Sequence, residues 1–455
     1  MQPVQQPLIA HIDVDAFFAQ VEEVRLNVRG KPLGVQQNME VAAVNYEARA
    51  FGLYNRISVA DAKKLCPQLV LVRGDNGVNG MQRYRQASQS VLRCVMRALD
   101  GMVDVPSSWV GRAVEQASFD DFYVQLPEGC QGDAAEAWAT RLRADVRQET
   151  NLRCSVGLGR TKLLSMLATK RAKPDGLHRC DGAEAERALL DGARIDALRG
   201  AGLTGLPPPT RAALLAARGA GATLGAVRAW LSEGGPAAAA AAATLGEVPL
   251  AAVRRLLDGG CDGSAVGRFA LPRSLSVERA VRPVDTEPAT RVDQIADGYA
   301  CLAPLLLSRA EEDEATFGVR APAQLVVKWK LFPGASEVRQ AQVAWPRVTG
   351  GGRPTAGAAG AAGAADATDA DSSLAQTIAA LATRTFEAAN AGRPFRVSRV
   401  VLVLKYAEGV GATRSGGNAA STSNAAKRLA RGSGAPAAPD PKQRKIADLF
   451  RRGAQ

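Results

Sequence analysis

Carboxylates stand at the end of the first apolar run of this chain, and a second pair stands inside an apolar segment about a hundred residues later. Leu8 to Phe18 reads as a buried strand whose end carries Asp13-Val14-Asp15. In Ala117-Ser118-Phe119-Asp120-Asp121-Phe122, aromatic residues flank two carboxylates that a closed core would not accept. Two adjacent divalent cations need several carboxylate oxygens converging on one point, and rigid strand ends supply that convergence. The plainer alternative is a set of solvated aspartates at strand ends, and spacing alone does not separate the two.

The surrounding pattern is that of an α+β core. Ala19 to Val28 reads as a helix broken by Gly30 and Pro32. A compact unit follows through Val72, with a strand at Val41–Val44 and a helix near Ala60–Leu65 that Pro67 halts. Next come a long amphipathic helix (Met81 to Leu99), a strand at Phe122–Leu126, a helix at Ala134–Thr150 and a strand at Arg153–Leu158. Such alternation predicts helices packed on one face of a sheet.

After Asp181 the character changes. Ala183 to Asp258 holds short Leu- and Ala-rich helices punctuated by Gly and by Pro207–Pro209, with no strand signal. Strands return at Ser274–Val281, Leu325–Phe332, Val338–Ala344 and Val397–Tyr406, with helices at Val292–Arg309 and Leu374–Ala391, giving a second α+β module. Gly350–Ser372, rich in Gly and Ala, reads as a disordered insertion, and the chain beyond Glu408 as a flexible basic tail.

Lys and Arg outnumber Asp and Glu by 57 to 45, a formal net charge of +12. That balance favours a polyanionic partner, since each phosphate neutralised releases a condensed counterion. The seven cysteines are scattered without zinc or redox spacing and, beside two histidines, read as buried free thiols in a reducing compartment. No uncharged apolar run is long enough to cross a bilayer and no secretory signal is evident, so an intracellular soluble protein is expected, with no membrane partner.

Further residues suit a triphosphate. Tyr46-Glu47-Ala48-Arg49 follows a strand, and Lys173-Pro174-Asp175-Gly176 follows a helix. A tyrosine hydroxyl, a guanidinium and an ammonium are good phosphate clamps, although each alone reads equally as a surface residue.

Taken in order, Asp13-Val14-Asp15-Ala16-Phe17-Phe18-Ala19-Gln20-Val21-Glu22, Tyr46 to Arg49, Ser118-Phe119-Asp120-Asp121 and Lys173-Pro174 resemble the Y-family DNA polymerases, from about Leu8 to Tyr406. Within the family, Lys31 to Gln37 and Asp61 to Val72 look most like eukaryotic polymerase iota, and Tyr46 to Gly52 equally like polymerase eta. The resemblance implies an α+β multidomain right hand. Its palm would be residues 1–23 and 76–181, its small fingers 24–75, its helical thumb 182–265 and its α+β little finger 266–408. The insertion 350–372 lies within the last of these, and a tail follows at 409–455.

The implied activity is low-fidelity, template-directed DNA synthesis past lesions, on primer-template DNA and deoxynucleoside triphosphates, by a monomer using two Mg²⁺ or Mn²⁺ ions. By that resemblance the metals are held by Asp13, the Val14 carbonyl, Asp120 and Asp121, while Asp15 has a supporting role. Asp121 stands where the family usually has Glu, one methylene longer. Phe18 matches the steric gate under the incoming sugar; Phe17 packs in the core, its amide facing the triphosphate that Tyr46, Arg49 and Lys173 bind. The same resemblance implies that Gln37 lies near the nascent base pair. Asn38, Met39 and Glu40 do not reproduce the polymerase iota residues that narrow its site.

Gly200-Ala201-Gly202 suggests a helix-hairpin-helix phosphate cradle. Along Leu325–Phe332, Leu325, Val327, Trp329 and Leu331 share one face while Lys328 and Lys330 share the other, which suits a sheet against DNA phosphates. In the tail, Gln443, Ile446, Leu449 and Phe450 (within 443–450) look like a sliding-clamp (PCNA) binding box, and with the polymerase iota resemblance they imply a nuclear location. A competing reading, motivated by Asp121, is a catalytically weakened DNA- and clamp-binding scaffold of the same fold.

Overall fold

The computed structural model describes residues 7–37, 39–74, 81–100, 109–198, 206, 208–233, 247–258, 265–281, 289–318, 320–332, 338–346, 365–391 and 393–407. Met1–Glu408 form one compact unit and Gly409–Gln455 a second, and all described residues belong to the first.

Strand β1 (Ile9–Val14) is the middle of a five-stranded sheet ordered β6 (Val114–Gln116), β7 (Asp121–Gln125), β1, β8 (Cys154–Gly159), β9 (Leu177–Arg179). It runs antiparallel to both neighbours, whereas β8 and β9 are parallel. Alternation along β1 sends Ala10, Ile12 and Val14 into a core with Phe122 and Val124. Helices α4 (Gln82–Asp100) and α5 (Gly132–Thr150) cover that core with Tyr84, Val91, Val95, Trp138 and Leu142.

The opposite face carries Ile9, His11 and Asp13, and it receives α6 (Lys162–Ala172). Gly157 on β8 is what admits α6 so closely: a Cβ there would sit 2.1 Å from the Ser165 carbonyl oxygen and 2.6 Å from the Thr169 hydroxyl.

The chain turns out of β1 at Ala16, in the left-handed region (φ 44°, ψ 46°), and α1 (Phe17–Leu26) begins directly after it. The expected strand to Phe18 therefore stops at Val14, because Asp15 and Ala16 form the turn and both phenylalanines belong to the first helical turn.

A second sheet, β4 (Ile57–Ser58), β3 (Glu40–Val44), β2 (Leu33–Gln37), β5 (Val70–Arg73), holds the short helices α2 (Tyr46–Arg49) and α3 (Val59–Leu65) over a small core of Val41, Val44, Leu53, Ile57 and Leu69. A helical region follows: α7 (Ala183–Asp191), α8 (Pro208–Arg218), α9 (Leu224–Glu233) and α10 (Glu247–Leu257), closed on Leu190, Leu198, Leu214, Val227 and Leu256.

The third sheet is fully antiparallel, ordered β10 (Ser274–Ala280), β13 (Val397–Tyr406), β11 (Pro322–Leu331), β12 (Val338–Ala344). Helices α11 (Val292–Phe317) and α12 (Ala365–Ala389) pack on one face, where Trp329 meets Phe386 edge-on at 5.1 Å.

Three expectations change here. Helix α11 runs past Arg309 to Phe317, because tertiary partners replace the missing apolar stripe. Gln82 donates to Glu312 at 2.6 Å, Tyr406 donates to Asp313 at 2.8 Å, and Phe317 packs against Trp109 at 5.7 Å. The segment expected to be disordered over 350–372 is helical from Ala365 onward, as an alanine-rich stretch favours once a packed helix extends it. The cysteines are not all buried: Cys66, Cys94, Cys130, Cys154 and Cys180 are, but Cys301 is exposed, and Cys261 lies outside the described residues. No helix among the described residues is long and apolar enough to cross a membrane.

Candidate active site

The register of the first sheet brings the two acidic segments together. Asp13 on β1 lies directly opposite Asp121 on β7, and the Val14 amide donates to the Asp120 carbonyl at 3.0 Å. Like charges directly opposite in an antiparallel pair repel at short range, so other groups must hold them there.

Ser118 does part of this. Its hydroxyl lies 2.6 Å from Asp120 Oδ1 and 3.0 Å from Asp121 Oδ2, and its oxygen accepts from the amides of Asp120 (3.3 Å) and Asp121 (3.2 Å). Lys173 does another part, its ammonium donating to Asp13 Oδ1. On the far side of Asp121, His11 Nε2 stands 3.4 Å from Oδ1.

These contacts set the protonation of the cluster. Burial and the Asp121 carboxylate, joined by Asp120, push Asp13 up to about 8 against the pull of Lys173. Burial and Asp121 push Asp120 up to about 6, with Ser118 opposing. Burial also works against ionised Asp121, but the hydrogen bonds from His11, Asp13 and Ser118 together outweigh it and hold that residue down to about 2. Close carboxylates titrate as a set, so the proton belongs to the cluster rather than to Asp13 alone. Burial weakens the Lys173 ammonium, yet Asp13 more than restores it and its pKa lies above the ordinary lysine value.

Asp15 points elsewhere. It is 1% exposed and accepts from the Ser155 hydroxyl (2.9 and 3.1 Å) and the Asp175 amide (2.7 Å). Asp175 in turn is gripped by Arg143 at 2.8 Å and Arg147 at 3.3 Å. Asp15 thereby ties the loop after α6 to the end of β1, and that loop carries Lys173. Gly176 lets it pass: a Cβ there would fall 2.0 Å from the Ala172 carbonyl oxygen.

Tyr46 and Arg49 approach from the second sheet. Asn45 caps α2, accepting from the amides of Ala48 and Leu33 (each 2.9 Å) and donating to Glu23 at 2.5 Å. The Arg49 guanidinium lies over the Tyr46 ring at 4.7 Å. Burial and the Asp15 carboxylate push the Tyr46 hydroxyl pKa up, with Lys173 and Arg49 opposing, which places Tyr46 within the electrostatic reach of the acidic cluster.

Phe17 is buried among Tyr84 (6.3 Å) and Phe119 (6.4 Å), while Phe18 is half-buried, edge-on to Tyr84 at 4.8 Å. Gln37 ends β2, in register with Glu40. On the third sheet, Leu325, Val327 and Trp329 are buried and Leu331 packs against the same core. Lys330 is engaged with Glu278 at 2.5 Å, and burial together with Lys405 and Lys330 lowers the Lys328 pKa. Their shared face is less uniformly basic than its sequence suggests, because Val326, Val401 and Val403 form a small buried cluster apart from the main core.

The cradle at 200–202, Asn38 and the tail residues Gln443, Ile446, Leu449 and Phe450 lie outside the described residues. Sequence reasoning passed over His11, Ser155 and Thr169, and gave Ser118 no task. His11 precedes Asp13 by two on a strand, so the period of two already placed both on one face.

Among the described residues, no group of three or more His, Cys, Asp or Glu side chains is arranged to hold a metal ion as it stands. The donor set nevertheless fits hard divalent cations. Asp13, Asp120 and Asp121 are oxygen ligands whose mutual repulsion raises the pKa of the first two, and a bound cation relieves that repulsion.

The model of the impB/mucB/samB family matches residues 12–170, a range that contains Asp13, Asp120 and Asp121 and ends shortly before Lys173. DNA polymerase IV of Corynebacterium diphtheriae is 35% identical over 193 residues, 40% of this chain and 39% of that protein. DNA polymerase IV of Streptomyces coelicolor is 34% identical over 203 residues, 43% of this chain and 39% of that protein. That of Stenotrophomonas maltophilia is 35% identical over 173 residues, 37% of this chain and 43% of that protein. The chain thus spans about two fifths of the length of the curated relatives it matches.

Proposed function

We propose that the chain is a Y-family, template-directed DNA polymerase that extends a primer past damaged template. The observation that carries this reading is the facing of Asp13 and Asp121 across β1 and β7, with Asp120 beside them and Lys173 against Asp13. The matched region, similar to bacterial DNA polymerase IV, is the segment that builds this facing pair.

In this reading Asp13, the Val14 carbonyl, Asp120 and Asp121 hold two Mg²⁺ or Mn²⁺ ions, which when bound lower the pKa of the primer 3′-hydroxyl and neutralise the triphosphate. Tyr46, Arg49 and Lys173 grip the triphosphate, and the Phe17 amide faces it. Phe18 lies beneath the sugar and excludes a 2′-hydroxyl. Gln37 borders the nascent base pair. Ser118 keeps the Asp120 and Asp121 carboxylates turned toward Asp13.

The first sheet serves as palm, the second as fingers, the helices 182–265 as thumb and the third sheet as little finger, with Lys328 and Lys330 toward DNA. Low fidelity follows from the fingers, whose core is small and whose sheet has four short strands, too little to close tightly around a base pair. The tail box at Gln443, Ile446, Leu449 and Phe450 recruits a sliding clamp. A nuclear location rests on that box and on the polymerase iota resemblance, to which the bacterial relatives lend no support.

Primer extension with Mg²⁺ or Mn²⁺, beside an Asp13→Ala/Asp120→Ala control, tests the proposal. Template-dependent synthesis that disappears in the control is the expected result. No synthesis with either metal, with primer-template binding retained, would leave the scaffold reading, which the short Asp121 side chain favours.

A further inference from the structure

We propose that His11 is a positioning residue for Asp121, holding the short carboxylate toward Asp13 in the place of a longer side chain. The inference rests on the polymerase reading and concerns how this chain serves that site with Asp where the resembled family usually has Glu.

The sheet builds the contact. On β1, His11 and Asp13 share a face; on β7, Asp121 and Tyr123 share the same one. The register pairs Asp13 with Asp121 and His11 with Tyr123, so His11 and Asp121 are diagonal neighbours, within reach of a long side chain. His11 Nε2 lies 3.4 Å from Asp121 Oδ1, while Oδ2 receives the Ser118 hydroxyl at 3.0 Å. Each carboxylate oxygen therefore has a polar neighbour, the imidazole on one side and the Ser118 hydroxyl on the other. Without the His11 side, Oδ1 of Asp121 would lose that neighbour and the short carboxylate would be free to turn about its Cα–Cβ bond.

The imidazole is itself fixed. It is 3% exposed, tilted against the Tyr123 ring at 4.5 Å, and its Nδ1 lies 2.8 Å from the Thr169 hydroxyl. Gly157, opposite His11 on β8, is the residue that lets α6 bring Thr169 so close. The Thr169 hydroxyl has one proton and three acceptors around it: Nδ1, the His11 carbonyl at 2.9 Å and the Ser165 carbonyl at 2.9 Å. The two carbonyls lie in a strand ladder and a helix, which already supply backbone donors. With the ring N–H on Nε2, toward the Asp121 carboxylate, Nδ1 is the acceptor on the Thr169 side. A chain Thr169–His11–Asp121 then runs from the covering helix to the acidic cluster.

The test uses the full chain with primer-template. Single-turnover incorporation is measured beside Mn²⁺ binding, followed by electron paramagnetic resonance on a complex with a dideoxy-terminated primer. His11→Leu is expected to lower kcat and weaken Mn²⁺ binding about 10- to 100-fold, the usual effect of removing an outer partner of a metal ligand, with little change in the KM for nucleotide. His11→Gln, whose amide nitrogen reaches the Nε2 position, is expected to recover most of both, whereas His11→Asn, whose amide falls near Nδ1, is not.

In an Asp121→Glu background the longer carboxylate passes His11, so the His11→Leu loss should shrink to less than about 3-fold, a non-additivity that coupled neighbours show. An equal loss in both backgrounds, or His11→Gln no better than His11→Asn, would make His11 a packing residue only and overturn the inference. If wild-type protein incorporates nucleotide and binds Mn²⁺ but His11→Leu matches it, the inference alone falls. If wild-type protein does neither, the polymerase reading falls and takes the inference with it.

Discussion

Asp15 offers the sharpest separation between holding the site together and performing its chemistry. Replacing it with alanine removes the acceptor of two donors, the part-buried Asp175 amide and the buried Ser155 hydroxyl. An orphaned buried donor costs roughly 1–3 kcal/mol, and the serine hydroxyl can rotate in part toward other oxygens, so the loss for Asp15→Ala is about 3 kcal/mol. Asparagine should behave differently. Burial pushes the Asp15 pKa above the ordinary carboxylate value despite the bonds from Asp175 and Ser155, so the ionised form is not well compensated where it sits. A neutral side chain of the same shape keeps an oxygen for the Asp175 amide and offers its NH₂ to the Ser155 oxygen. Asp15→Asn should therefore lose no more than about 1.5 kcal/mol, the net worth of one ordinary hydrogen bond.

Urea unfolding of the two variants beside the parent, at equal slope, gives both numbers. The kinetic consequence is separate. Asp15 tethers the loop that carries Lys173, so Asp15→Ala should raise the KM for nucleotide, and an error of about 1 Å in a catalytic group can cost on the order of 100-fold in rate. A loss below about 1 kcal/mol for alanine, or equal losses for alanine and asparagine, would refute the reasoning, because it would mean that the Asp175 and Ser155 donors find water or other acceptors readily.

Two further outcomes follow from the same structure. Glu22 is 0% exposed and accepts from Tyr84 (2.6 Å), Arg25 (2.7 Å) and Arg83; both guanidinium groups reach solvent, so Glu22→Ala should destabilise by about 1–3 kcal/mol in thermal or urea melts, the cost of leaving the buried Tyr84 hydroxyl without its acceptor, and Tyr84→Phe by about 1–2 kcal/mol. The metal-free protein should also lose stability as pH rises. Asp13 and Asp120 have folded pKa values raised to about 8 and about 6, so their contribution is fully present below the ordinary 3.8 and is lost as pH climbs through 6 and 8. Asp121, held down to about 2, contributes above 3.8 and loses that contribution only as pH falls toward 2. A melting temperature that falls between pH 5 and pH 8 in chelator, and levels out on adding Mg²⁺ or on Asp13→Asn, is expected; an unchanged slope in Asp13→Asn would assign it to other groups.

Much of the fold was legible because periodicity reports burial. Strands at Glu40–Val44, Val338–Ala344 and Val397–Tyr406, and the helices α3, α4 and α5, fall within a few residues of where apolar spacing puts them. The turn at Asp15 and Ala16 was not, since nothing local marks an alanine for a positive φ; the Asp15 bonds to Ser155 and Asp175 that stabilise it come from far along the chain. The end of α11 was hidden for a related reason. Glu311 to Glu314 look like a solvated terminus, yet Glu312 and Asp313 meet Gln82, Arg320 and Tyr406. In the site, the residue types were readable and their supports were not: Asp13 and Asp121 declare themselves as misplaced charge, whereas Ser155, Thr169 and His11 read as ordinary strand and helix residues until the register is known.

The facing of Asp13 and Asp121 also explains why so many neutral and cationic groups crowd one end of one sheet. A sheet selected for stability alone would put β-branched or oppositely charged residues at directly paired positions. Here two carboxylates occupy such a pair, a third follows in sequence, and the nearest compensation comes from Lys173, His11 and Ser118. Lys173 is held by a loop that Asp15 anchors, and His11 by a helix that Gly157 admits, so each compensating group depends on a long-range contact rather than on its own strand. The repulsion and the supports are then parts of one arrangement: the sheet brings the charges together, and the elements around it hold them there. Removing a support should cost activity before it costs the fold, whereas removing an acidic residue should abolish activity while relieving repulsion between like charges in the metal-free state.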